Sequence, residues 1–282
     1  MILEHEIPQG AQLYFAASAR LKRHIEERAS TILYEAGFEE IATPSFSFLE
    51  HQRDLSSREV LRLSSESNHQ IVLRNDTTLE LARIVTKRLG RSTEHRKWFY
   101  IQPVFSYPSH EINQIGVESL GNRDTKALLN VAVKILHELK ISPILQLANI
   151  RIPLLCAQEF NLGIELFAKT QIEKILEHDS CIGALLKIKN LKDLKDFIKN
   201  APDFLRQELQ ELYELAVGIK YERVIVSPLY YAPMGYYNGV FFRMFEGNRT
   251  LLFGGNYEVD HLESCGFGIY TDELITLIQR EG

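Results

Sequence analysis

The chain reads as an α+β protein, and three observations carry that reading. Strand-like apolar segments recur from Phe38 to Ile150 and again from Arg223 to Ile269. Helical patterns fall between some of them, without the regular strand–helix–strand alternation that a parallel sheet requires. From Pro153 to Ile219 the texture changes to Leu, Ile, Lys and Glu with no aromatic-rich strand. The expected organisation is a sheet domain made of residues 1–150 and 221–282, interrupted by a small helical insertion over residues 151–220.

The elements are justified in order. Ala11 to Ala36 carries Leu21, Ile25, Ile32 and Leu33 at helical spacing, and Gly37 supplies a stop. Phe38 to Thr43 alternates like a strand that Pro44 closes. Phe46 to Glu59 has no clean periodicity. Glu59–Leu63 and Gln70–Arg74 read as a hairpin around a Ser65–His69 turn. Thr77 to Leu89 is an amphipathic helix ended by Gly90. Lys97–Phe105 and Glu111–Leu120 are strands flanking a loop from Ser106 to Asn113. Asp124 is placed to cap a helix with an apolar stripe of Leu128, Leu129, Ile135, Leu136 and Leu139. Ile144–Ile150, Arg223–Ser227, Val240–Phe245, Thr250–Phe253 and Ser264–Ile269 are further strands, with a final helix from Thr271. The Asn238–Gly239 dipeptide is a hairpin-turn signal.

Composition narrows the function. The 282 residues are 45% hydrophobic and 24% charged, as expected of an ordinary globular chain. A net charge of −5 and a pI near 6.0 disfavour a general nucleic-acid or membrane-surface binder. Cys156, Cys181 and Cys265 are widely spaced, which reads as reduced thiols and not as a disulfide framework or zinc site. No apolar run approaches membrane-span length, and the N-terminal residues lack the pattern of a signal peptide, so a cytoplasmic location is expected. The nine histidines are scattered without a metal-binding pair, so no metal is expected. No GxSxG or Walker loop is present. Gly266–Phe267–Gly268 is only GxG, and a close-packing strand explains it better than a phosphate loop.

One pair stands out. Gln114 and Glu118 lie four residues apart in an otherwise apolar strand, so their side chains share a face. A buried amide and carboxylate need partners. Either a small polar ligand or another part of the chain supplies them.

Six segments, in order, resemble the catalytic domain of class II aminoacyl-tRNA synthetases, specifically the histidyl one. GFEEIATP (37–44) resembles motif 1, the dimer-interface element of that family. LRNDTTLELAR (73–83) resembles its LRPE-or-D-x-T-x-x-x-A-R segment. FYIQPVF and QIGVESLG (99–121) resemble motif 2 and its following strand. GYYNGVFFRMF (235–245) resembles the histidine-specific RGLDYYTG-x-x-F-E. FGGNYEVDHL (253–262) resembles GGRYD-x-L, and CGFGIYTDEL (265–274) resembles motif 3. The implied fold is an antiparallel sheet flanked by helices.

The resemblance also implies a histidine pocket. Asp76 stands where the family has an acid that meets the substrate ammonium, with Thr78 at a matching polar position. Gln114 and Glu118 fall on the pair that holds amino group and imidazole. Tyr237 and Tyr257 fall on the tyrosines lining the ring pocket. Carboxylates for a cation and tyrosines for a ring suit histidine. The same residues would equally serve as satisfied core polars.

The departures bear on catalysis. Motif 2 should carry an Arg and, two residues later, an acid; here Ser106 and Pro108 stand there. The Arg that should open the histidine-specific segment is Ala232. Motif 3 should end Glu-Arg-Leu but reads Asp272–Glu273–Leu274. Adenylate formation depends on cations that neutralise phosphate charge, each contact contributing about 3 kcal/mol. Three losses, with a charge reversal at Glu273, would suppress it by orders of magnitude. The chain is also expected to lack an anticodon-binding domain and to bind no tRNA.

This pattern resembles the ATP phosphoribosyltransferase regulatory subunit family, a non-catalytic paralogue of the histidyl synthetase. The resemblance implies a separate catalytic subunit as partner, self-association through the motif 1 region, L-histidine as ligand and feedback signal, and no cofactor. The competing reading is a stand-alone histidine-activating ligase acting on a non-tRNA acceptor. A third is an interaction scaffold with an empty pocket.

Overall fold

The computed structural model describes residues 6–52, 59–63, 70–171, 173, 180–232 and 235–281. The expected Ser65–His69 turn lies outside them. No helix among the described residues is long and apolar enough to cross a membrane.

The molecule is built on an eight-stranded mixed sheet. Helix α1 (Ala16–Glu35) precedes β1 (Glu39–Glu40). Then come β2 (Phe46–Phe48), α2 (Leu49–Gln52), β3 (Arg62–Leu63), β4 (Ile71–Leu73) and α3 (Thr78–Arg83). Strands β5 (Lys97–Ser106) and β6 (His110–Ser119) form a hairpin, followed by α4 (Thr125–Glu138) and β7 (Ile144–Asn149). The helical stretch contains α5 (Arg151–Glu159), α6 (Glu165–Ala168), α7 (Ser180–Leu186), α8 (Leu191–Ile198) and α9 (Asp203–Gly218). Strands β8 (Val224–Val226), β9 (Tyr237–Glu246), β10 (Arg249–Val259) and β11 (Leu262–Tyr270) lead into α10 (Thr271–Glu281). The large sheet runs β1-β5-β6-β11-β10-β9-β7-β8, and β2-β4-β3 form a second sheet. Its interior pairs are antiparallel, whereas β1–β5 and β7–β8 at the edges are parallel.

Strand alternation divides the large sheet into two faces. One face carries Phe99, Ile115, Val117 and Phe267, which pack with Ile25 and Leu33 of α1, Leu128, Leu129 and Ile135 of α4, and Leu274 of α10. The buried leucines of α9, Leu205, Leu209 and Leu212, belong to the same cluster as Leu145 and Leu147 of β7. The opposite face carries Tyr100, Tyr237, Phe241 and Tyr257, with Leu79, Leu81 and Val85 from the α3 region packed on it.

Several boundaries differ from the sequence expectation. Helix α1 starts at Ala16, because Phe15 is extended and the Ser18 hydroxyl closes the first turn, accepting from Phe15 N and donating to Phe15 O. The expected helix over 77–89 splits into α3 and a wider π-helical turn over Ile84–Leu89, where Thr86 bonds back to the Ala82 carbonyl at 2.8 Å. The expected loop from Ser106 to Asn113 is much shorter, since the β5–β6 ladder continues to the Ser106–His110 pair. Asn238–Gly239 is not a turn but part of β9. The Gly239 carbonyl accepts from Ile150 N at 2.9 Å, which requires extended backbone there. The hairpin turns instead after Glu246, where Gly247 has φ +56°.

Candidate functional site

The site lies on the face opposite α1, α4 and α10. Strand β6 contributes Gln114 and Glu118, β10 contributes Tyr257, and β9 contributes Tyr237. Asp76 precedes α3, and Thr78 opens it. All six line one cavity, together with Tyr100, Tyr236, Phe253, Phe267, Tyr270 and two glycines of β11. Each is at least nine-tenths buried, from Glu118 at 1% exposed to Thr78 and Gln114 at 9%.

The glycines make the floor. Gly266 sits directly across the ladder from Glu118. A methyl group there would lie 1.9 Å from Glu118 Oε2, so a side chain at this position would evict the carboxylate. Gly268 pairs with Gly116, and a side chain added there meets nothing within 4 Å. Gly–Phe–Gly is therefore a strand, as the sequence suggested, and the gaps left by its glycines form a recess.

Electrostatics favour a cationic guest. The described lining holds two carboxylates, Asp76 and Glu118, and no Lys, Arg or His. Burial, and to a lesser degree the nearby Asp76 charge, hold the Glu118 carboxyl up at about 8. The hydroxyls of Tyr257 and Thr78 pull it back down. Tyr257 donates to Glu118 Oε2 at 2.7 Å. Asp76 Oδ1 accepts from Leu79 N at 3.5 Å, at the start of α3. The cavity is narrow, with about 20 Å³ of free room, enough for a water and less than an amino acid needs.

A second layer supports this wall. Arg74, 1% exposed, donates to the carbonyls of Thr43, Pro44 and Pro103 at 2.8–2.9 Å and so ties β4 to β5 and to the 43–44 segment. Glu80, on α3, is pushed up to about 7 by burial. Tyr100 and Tyr236, which sequence reasoning did not single out, also line the cavity. Strand parity would have found Tyr100, which stands across the ladder from Gly116.

The positions where the resemblance calls for phosphate-binding cations lead elsewhere. Ser106 is buried at the end of β5. Ala232 is buried in the apolar cluster on the site face and lines a separate cavity with Gln146, Phe167 and Tyr231. Glu273 accepts from Arg249 Nη1 at 2.6 Å. Asp272 takes the Tyr14 hydroxyl on Oδ1. Its Oδ2 accepts from Asn113 N at 2.8 Å, and Oδ1 also accepts from Asn113 Nδ2 at 3.0 Å. Burial raises the Asp272 carboxyl, and these donors oppose the rise. The chain's own side chains thus satisfy both acids at the start of α10.

Comparison with known proteins decides the family. The histidyl-tRNA synthetase family profile matches residues 11–274. The ATP phosphoribosyltransferase regulatory subunit of Wolinella succinogenes is 68% identical over 280 residues, spanning 99% of this chain and 98% of that one. This chain belongs to the ATP phosphoribosyltransferase regulatory subunit family. The regulatory subunit of Helicobacter hepaticus is 54% identical over 98% of both chains. Among solved structures, an ATP phosphoribosyltransferase regulatory subunit/histidyl-tRNA synthetase from Bacillus halodurans superposes with a TM-score of 0.86 at 18% identity, covering 97% of this chain and 83% of that one. That match establishes the class II histidyl-synthetase-like α+β fold.

Proposed function

We propose that this chain is a non-catalytic regulatory subunit that joins a separate ATP phosphoribosyltransferase catalytic subunit in the first step of histidine biosynthesis, and that its polar cavity receives L-histidine. The observation that carries this reading is a divided set of residues. The kept half, two buried carboxylates, an amide and a ring of tyrosines, lines one cavity. The other half, Ser106, Ala232 and Glu273, stands where the resemblance calls for phosphate-binding cations, and Glu273 is already paired with Arg249.

Histidine fits the chemistry of the kept half. Its ammonium pairs with Asp76 and Glu118, and its ring meets Tyr237 and Tyr257. Since the ligand exceeds the free room, a lining side chain moves on entry. Tyr236 is partly exposed where Tyr237 and Tyr257 are buried, and it is the ring we assign to that movement. Without a triphosphate site, bound histidine is sensed and not activated.

Titration calorimetry with L-histidine tests the pocket. The wild type is expected to bind, and Gly268→Val, whose side chain grows into the recess, is expected to lose binding with an unchanged melting temperature. No binding by the wild type, or full binding by Gly268→Val, contradicts the assignment.

A further inference from the structure

Gln52 ends helix α2 and is 2% exposed, yet it does not line the cavity. Its amide is spent on the segment that carries Asp76. Gln52 Oε1 accepts from Asn75 N at 2.8 Å and from Asp76 N at 3.0 Å. Gln52 Nε2 donates to the Asp76 carbonyl at 3.3 Å, with Glu80 Oε2 at 3.3 Å and Ser47 Oγ at 3.4 Å also within reach. One side chain therefore grips the Asp76 peptide at both its N–H and its C=O.

Asp76 sits between β4 and α3, in neither ladder nor helix, and Gln52 Oε1 is the acceptor that serves both its N–H and the preceding one. Removing Gln52 takes that acceptor from two buried donors, a penalty large enough to shift the local backbone. Arg74 is anchored separately to Thr43, Pro44 and Pro103, and Asn75 Nδ2 to the Phe105 carbonyl at 3.2 Å, so the disturbance centres on Asp76. A carboxylate that must meet an ammonium loses most of the interaction with a shift of about 1 Å.

We propose that Gln52 is the positioning residue for Asp76, and so sets the cavity's selectivity for ligands bearing a primary ammonium over those lacking one. This rests on the reading that the cavity takes an amino acid. No local pattern marks Gln52, which lies outside every motif and meets Asp76 only through the fold.

Calorimetry compares L-histidine with imidazole-propionate, which keeps ring and carboxylate but lacks the amine. The wild type is expected to prefer histidine. Gln52→Leu is expected to lower histidine affinity about tenfold while imidazole-propionate affinity moves by less than about twofold. Gln52→Asn, whose amide is drawn back by one methylene, carries the same expectation if Gln52→Leu does not fold. Gln52→Glu keeps an acceptor for both N–H groups. At about pH 6 it is expected to restore most of the preference, because Glu80, raised to about 7, is then protonated and can donate to the new carboxylate. An unchanged preference in Gln52→Leu and Gln52→Asn overturns the proposal, as does an equal loss for both ligands, which marks a merely structural role. A wild type that binds neither ligand overturns the cavity reading and this proposal together.

Discussion

At the residue scale, Glu118 concentrates the cost of the site. Its carboxyl is buried beneath Tyr257, near a second acid, and its affinity for a proton rises from the ordinary 4.5 to about 8. The sign follows from linkage. A carboxyl whose folded value is raised stabilises the fold fully below its unfolded value, and that contribution is lost as pH climbs through the folded one. Glu80, raised to about 7, acts in the same direction. The ligand-free protein is therefore expected to melt at lower temperature as pH rises from about 5 to about 8, and Glu118→Gln is expected to flatten that fall. A thermal denaturation series across pH checks this, and a melting temperature that rises over the window contradicts it. Strand parity singled out Gln114 and Glu118 from sequence, and the resemblance in motif order supplied Asp76, Thr78, Tyr237 and Tyr257; the fold brings all six to one cavity. Tyr14, Gln52 and Arg249 were not legible. Tyr14 meets Asp272 across 258 positions and Gln52 meets Asp76 across 24, and no local pattern encodes such meetings.

At the element scale, the chain reads best where hydrophobic periodicity is strong. The Asp124 cap is present, with Asp124 accepting from Ala127 N at 2.9 Å, and Leu128, Leu129, Ile135 and Leu136 of the expected stripe are buried, with Leu139 half-buried just past the helix. Where two signals competed, tertiary pairing won. Asn–Gly became strand because β7 needed a partner carbonyl, and the β5–β6 ladder extended into what composition suggested was loop. The parallel pairs at both sheet edges had no sequence signature, because β1 is two residues long and β8 three. The segment resembling the synthetase dimer element is flanked by exposed rings: Tyr34 at the end of α1 is 49% exposed, and Phe46 and Phe48 of β2 are 59% and 46% exposed. We propose that this surface is covered by a second copy of the chain. Phe46→Asp with Phe48→Asp is expected to halve the mass seen by sedimentation. A wild type that sediments as a monomer at micromolar concentration refutes it.

At the scale of the whole molecule, one sheet carries two different jobs on its two faces. One face is a continuous apolar core that also takes in the helical stretch from α5 to α9. The other face holds the recess, whose described lining carries no Lys, Arg or His. Under the proposed function, the recess recognises a ligand without activating it, and the output passes to a partner chain. The most direct test is the phosphoribosyl transfer rate of a short ATP phosphoribosyltransferase catalytic subunit, measured with and without this chain. The account predicts that adding the chain raises the rate through a stable complex. A rate unchanged by saturating amounts of the chain contradicts it.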